Sequence, residues 1–150
     1  MSTIVSLYQR LQNLDTDKVI QTSLEQTKDA LADLNIEQMH HGLNSDGEKI
    51  GEYRSEAYAE EKERMNPLPG FGIPDLKLTG AFYRATKVVI GGDNITIDSD
   101  DEKSAELQEK YGKEIFGLSG VYKREYLKEN LGPVFRKSIT DVIGLKFGGL

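Results

Sequence analysis

The chain contains no cysteine and no tryptophan. Without cysteine there is no disulfide framework, no thiol nucleophile and no cysteine-ligated zinc or iron–sulfur site. Histidine occurs only as the neighbours His40 and His41. Adjacent residues on a helix point about 100° apart, so these two do not form an i, i+4 metal pair. They read as a polar helix C-terminus, where imidazole suits the dipole. Positive charge is in the minority: the net charge is −6 and the isoelectric point is near 5.0. That excludes broad, charge-driven nucleic-acid binding and leaves room for a local basic patch at most. Apolar runs are a handful of residues, against the roughly 20 needed to cross a bilayer. Met1-Ser2-Thr3-Ile4-Val5 has no basic region ahead of an apolar stretch, so no secretory signal is expected. What is left is a soluble intracellular chain of 150 residues, the length of one domain. A domain of that size buries about 68–70% of the surface its unfolded chain exposes, enough for a core without metals or bridges.

The order of elements is legible from spacing. Ile4, Tyr8, Leu11 and Leu14 repeat at helical intervals. Asp15-Thr16-Asp17 can cap a second helix, whose stripe runs Ile20, Leu24, Thr27, Leu31 and Leu34. Gly42, Asn44, Ser45, Asp46, Gly47 and Gly51 then make a mobile loop over 42–54, with Asp46-Gly47 as a strong turn pair. Ser55 caps a helix over 55–65 with Tyr58 and Met65 on one face. Asn66-Pro67-Leu68-Pro69-Gly70-Phe71-Gly72-Ile73-Pro74 ends it and reads as an ordered, extended loop. Asp75 or Thr79 can start a short helix over 80–85. Lys87-Val88-Val89-Ile90 and Ile95-Thr96-Ile97, joined by Gly91-Gly92-Asp93-Asn94, form the clearest hairpin. Ser99 and Glu102 match a capping box for a helix over 102–111, with Gly112 as its stop. Phe116, Leu118, Val121, Tyr122 and Tyr126 form a further apolar cluster. Pro133 suits the first turn of a last helix, with Phe135, Ile139, Val142 and Ile143 inward and Gly144, Gly148 and Gly149 closing it. The expected class is α+β: several helices on a small antiparallel sheet containing the 87–97 hairpin, in a single domain over 1–150. Within it, 1–41 supply the N-terminal helices and 55–150 the α+β core.

Chemistry is thin. Asp98-Ser99-Asp100-Asp101-Glu102 fails the EF-hand spacing, because Lys103 stands where the glycine belongs. Gly70-Phe71-Gly72 leads to no third glycine and no Gly-Lys-Ser/Thr, and no Gly-x-Ser-x-Gly elbow exists. Twenty-five carboxylates are present, but nothing singles out a catalytic pair. Lys123, Arg124, Lys128, Arg136, Lys137 and Lys146 bias the C-terminal third toward positive charge, but Glu125 and Glu129 interleave, as on a solvated helix face. No catalytic, cofactor-binding or metal-binding residue is assigned, and no cofactor is expected. The candidates are contact residues: Leu68, Phe71 and Ile73 in the proline-rich loop, Val88, Ile90, Ile95 and Ile97 in the hairpin, and Tyr53 in the 42–53 loop. Each has an intramolecular alternative, since apolar loops pack on their own core and hairpins are completed by their own sheet.

The order of short motifs over about residues 43–145 resembles a family. Asp46-Gly47-Glu48-Lys49-Ile50-Gly51-Glu52-Tyr53 is followed by Tyr58-Ala59-Glu60-Glu61-Lys62. Then come Pro74-Asp75-Leu76-Lys77-Leu78-Thr79-Gly80-Ala81-Phe82-Tyr83, the hairpin, Lys110-Tyr111-Gly112-Lys113-Glu114-Ile115-Phe116-Gly117-Leu118 and the helix after Pro133. This is similar to the small virion-assembly proteins of tailed bacteriophages, of the tail-completion, head–tail connector (neck) or minor tail type. Where that family often has an Arg-Pro-Phe-like stretch, this chain reads Leu131-Gly132-Pro133-Val134-Phe135. The resemblance implies a non-enzymatic subunit of a ring of its own copies that joins capsid portal to tail around the DNA channel. It implies portal, connector or tail proteins as neighbours, non-specific proximity to packaged DNA and no membrane. It also implies residence in the virion after assembly in the host cytoplasm. Two other readings stand beside it: an adaptor or regulatory domain that binds a partner through the 20–34 stripe, and a small carboxylate-based hydrolase.

Overall fold

The computed structural model describes residues 3–70, 72–77 and 79–144. Phe71, Leu78, Lys146, Gly148 and Gly149 lie outside the described residues. Helices α1 (Thr3–Gln12), α2 (Thr16–His40), α3 (Glu56–Met65) and α4 (Ala81–Arg84) precede a hairpin of β1 (Thr86–Ile90) and β2 (Ile95–Ser99). Helix α5 (Ser104–Tyr111), a 3₁₀ turn (Lys113–Ile115), α6 (Gly120–Glu125) and α7 (Gly132–Ile143) follow. The class is α+β, about 60% helical with a two-stranded antiparallel sheet.

The central element is α2, whose 25 residues make a rod of roughly 37 Å. Asp15 caps it by accepting from the Lys18 N–H at 3.1 Å. Its buried face departs from the expected stripe. Thr27, Leu31 and Leu34 are buried and Leu24 is half-buried, but Ile20 is exposed and Val19 turns inward instead. Ser23, Asn35 and Gln38 are also buried, with 0% exposure each. Ser23 and Thr27 satisfy their hydroxyls by donating to carbonyls one turn back, those of Val19 (2.7 Å) and Ser23 (2.8 Å). Thr27 then accepts from the Tyr126 hydroxyl at 2.8 Å.

Two apolar clusters sit along this rod. The first joins Leu31, Ala32 and Leu34 to Val88, Leu118 and Tyr126. The second joins Met39 to Ile50, Phe82, Tyr83 and Ile115. Between them Asn35 and Gln38 grip the chain that follows the 3₁₀ turn. Asn35 donates to the Ile115 carbonyl (3.1 Å) and accepts from the Gly117 N–H (3.0 Å). Gln38 donates to the Gly117 carbonyl (2.9 Å) and accepts from the Ser119 N–H (2.7 Å). Two side-chain amides thus do for residues 115–119 what a neighbouring strand would do.

The hairpin pairs Val88 with Ile97 and Ile90 with Ile95 across the four-residue turn 91–94. Val88, Ile90 and Ile97 face the first cluster, while Lys87 and Val89 alternate outward. Ser99 is not a helix cap. It ends β2, donates to the Phe82 carbonyl at 3.1 Å and accepts from the Asp101 N–H at 3.3 Å, so α5 begins only at Ser104. Gly112 ends α5 with φ of 91°. On α3, Ser55 caps as expected, but Tyr58 and Met65 are exposed and the buried pair is Ala59 and Lys62.

The last helix does not start afresh at Pro133. Helices α6 and α7 are joined by a π-helical turn, Tyr126–Leu131. Pro133 has no N–H to give the preceding turn and its ring crowds that turn's carbonyl, so the widened turn absorbs the mismatch. Gly132 fits because a β-carbon there would lie 2.6 Å from the Leu127 carbonyl oxygen. Ile143 is buried and Phe135 and Ile139 half-buried, whereas Val142 is exposed, contrary to the expected inward face, and Val121 of the expected apolar cluster is exposed as well.

Gln38→Leu keeps the volume but orphans a part-buried carbonyl at Gly117 and a buried N–H at Ser119. It is expected to cost about 2–4 kcal/mol in urea unfolding. Gly92→Ala, at an exposed turn position with no atom near the added methyl, is expected to stay within about 0.5 kcal/mol of wild type.

Candidate functional site

Helix α3 carries a lysine to the interior. The side chains of Lys62 and Asp75 are 5% and 3% exposed, and Lys62 Nζ lies 2.8 Å from Asp75 Oδ1. Lys62 also donates to the Lys77 carbonyl. A buried ion pair survives only when its remaining lone pairs and protons are satisfied. Here Asp75 Oδ1 also accepts from the Lys77 N–H (3.0 Å), and Oδ2 accepts from Asn66 Nδ2 (3.0 Å). The backbone of Asp75 is held as well: its N–H donates to the Tyr53 hydroxyl at 3.4 Å, and its carbonyl accepts from the Tyr83 hydroxyl.

These contacts set the ionisation states. Burial pushes the Asp75 carboxyl up, but hydrogen bonds from Lys62, the Lys77 N–H and Asn66 outweigh it and hold the group below its ordinary 3.8. Burial, and then the Asp75 charge, push the Tyr53 and Tyr83 phenols well above their usual range, so both stay protonated. His40 does not behave as a dipole-stabilised imidazolium. Burial first, and Lys77 second, pull it below 6.5. Asn66 Nδ2 lies 3.2 Å from His40 Nδ1, which fits a neutral ring accepting at that nitrogen.

Leu76, between Asp75 and Lys77, has φ of +59°. A left-handed leucine costs roughly 1–2 kcal/mol, and the hydrogen bonds on both flanks hold it there. Its side chain packs on the second cluster and lines a cavity of about 490 Å³. The apolar part of that cavity is Pro74, Leu76, Phe82 and Leu107, with Tyr53, Tyr58 and Tyr111 forming aromatic walls. Tyr53 and Tyr58 meet edge to face at 5.1 Å. Arg54, Lys77, Lys103 and Lys110 line it, with Asp101 and Glu102 as opposing charges.

Two apolar surfaces lie elsewhere. Helix α1 leans on α7, and Arg10 Nη1 donates to the Ile143 carbonyl at 3.0 Å. Its stripe points the other way: Ile4, Tyr8 and Leu11 are 76%, 60% and 47% exposed, and Val5 beside them is exposed too. A groove of about 570 Å³ runs between β2 and the C-terminal helices, lined by Ile95, Ile97, Phe116, Leu118 and Leu127, with Lys113 and Lys123 also on it.

The contact residues expected from sequence are scattered across these features. Leu68 is exposed and Ile73 half-buried; Phe71 lies outside the described residues. Val88 is buried in the first cluster, and Ile90 and Ile97 pack against that cluster. Ile95, exposed at the hairpin end, and Ile97 both face the groove. Tyr53 stands in the cavity wall. Sequence reading missed Lys62, Asp75 and Asn66, because no local spacing marks an ion pair formed across a helix and a loop. The available signals were Asp75 directly after Pro74, where backbone freedom is low, and the helical step from Ala59 to Lys62. Among the described residues, no cluster of His, Asp or Glu side chains could hold a metal ion, and no helix is long and apolar enough to cross a membrane.

Lys62→Met strands a buried carboxylate and is expected to destabilise the fold by about 3–5 kcal/mol. Adding Asp75→Asn to it should recover part of the loss, measured by chemical unfolding. Stability should also fall as the pH is lowered. The unfolded chain takes a proton on His40 near 6.5 while folded His40 stays neutral, and takes one on Asp75 near 3.8 while folded Asp75 stays ionised. In both windows the unfolded state binds more protons, so both limbs fall toward acid. His40→Gln should remove the upper limb.

The chain matches no family model, and neither a curated protein nor a solved structure matches it.

Proposed function

We propose that this chain is a non-enzymatic structural subunit of a tailed-phage virion. In this reading its copies form a ring at the head–tail junction, between portal and tail and around the DNA channel. The sequence resemblance over 43–145 motivates the class. The observation that carries an assembly role is α1, an amphipathic helix whose apolar stripe faces solvent. An apolar helix face is stable when buried against another element, and contiguous exposed apolar surface marks an interaction site. The groove beside β2 offers an apolar concave surface on a different part of the same chain. A ridge on one copy seated in the groove of the next is a heterologous contact, and such contacts close into rings when the rotation permits. The acidic balance of −6 suits a conduit wall, because like charge keeps DNA from adhering. The adaptor reading loses support, since Thr27, Leu31 and Leu34 of its stripe are buried within this chain.

The test is the mass of the purified full chain over a concentration series, with electron microscopy of the largest species. A closed ring is expected. Tyr8→Glu on the ridge and Leu127→Glu in the groove should each stop closure, and mixing the two variants should give a one-to-one complex through the single intact junction. A wild-type chain that stays monomeric at every concentration, or variants that assemble unchanged, would overturn the reading.

A further inference from the structure

The geometry points to the 490 Å³ cavity beside the Lys62–Asp75 pair as a binding site for an organic anion with a planar, apolar body, the size of a nucleoside monophosphate. This inference is independent of assembly. Three observations converge on it. The first is charge. Lys62 is cancelled by Asp75, but Arg54, Lys77, Lys103 and Lys110 are exposed, and among the described residues none of these four makes a salt bridge. Four cations against the carboxylates of Asp101 and Glu102 leave a local excess of two positive charges in a chain of net charge −6. Such an excess in a concave site concentrates anions.

The second is the lining. Tyr53, Tyr58 and Tyr111 supply flat faces, and Leu76 and Phe82 give an apolar floor. Lys110 Nζ lies over the Tyr111 ring, 5.1 Å from its centre, so a cation and an aromatic ring already meet in this wall. A phosphate or carboxylate would sit on the lysines while the planar body stacks on tyrosine. The volume falls within the usual range of about 300–1,000 Å³ for small-ligand sites.

The third is rigidity. Leu76 is held at φ +59° by hydrogen bonds on both sides, and Tyr53 is fixed by Asp75. Strained backbone of this kind clusters at ligand sites, where a pre-set shape spares ordering on binding. A duplex is a poor fit, because its phosphates need a long row of cations and these four surround one pocket.

The experiment is titration of the full chain, followed by calorimetry and by tyrosine ring resonances, with three probes: adenosine 5′-monophosphate, adenosine alone and inorganic phosphate alone. Saturable binding of the nucleotide below about 1 mM is expected, tighter than either half. Shifts should fall on Tyr53 and Tyr111. Lys77→Glu with Lys110→Glu should weaken binding about tenfold or more, and Glu102→Gln should tighten it a few-fold. All three positions are exposed, and far-UV circular dichroism checks that the variants fold. No saturation up to about 10 mM nucleotide, binding of phosphate alone as tight as the nucleotide, or indifference to these substitutions would overturn the proposal.

Discussion

Two side-chain amides tie the chain after the 3₁₀ turn to the central helix. Asn35 and Gln38, both fully buried on α2, each donate to and accept from the main chain of 115–119. That stretch pairs with no strand among the described residues, and without them its buried and part-buried N–H and carbonyl groups would lose these partners. With them, α2 becomes a scaffold for the hairpin and for the long C-terminal rod together. The two apolar clusters lie on either side of these amides along α2.

The same logic recurs at Lys62 and Asp75. Charges are carried out of water and each charged atom is held by further hydrogen bonds, Lys62 to the Lys77 carbonyl and Asp75 from the Lys77 N–H and Asn66. One consequence is a loop held in a backbone conformation that leucine would not adopt unaided. Another is a cavity that lies beside the ion pair and whose edge carries exposed cations. The polar interior thus fixes shape, and the apolar stripe of α1 remains in solvent.

Much of the element order was legible. Spacing located α1 and α2, turn chemistry located the hairpin, and Ser55, Gly112 and Gly144 marked helix ends through capping geometry. The errors share one cause. Ser99 was read as a cap because serine with glutamate three residues on is a local pattern, but its hydroxyl is taken by Phe82, distant in sequence. Ile20 was read as part of one apolar stripe because it fits a period, but it is exposed, and Val19 and the polar Ser23 are buried instead. Pro133 was read as a helix start, but a π turn carries the helix through it. Of the candidate site, Tyr53 was found for another reason and Lys62, Asp75 and Asn66 were not found at all.

Sequence by itself determined the α+β class, the hairpin and most helix positions, and the exclusion of thiol chemistry. Those follow from local quantities: side-chain period, backbone freedom at glycine and proline, and composition. Only the tertiary structure decided that polar residues of α2 face inward, that a lysine on α3 is buried, and that the stripe of α1 is left in solvent. Burial and pairing depend on partners far along the chain, and a polar residue reads the same in sequence whether water or a buried carbonyl satisfies it.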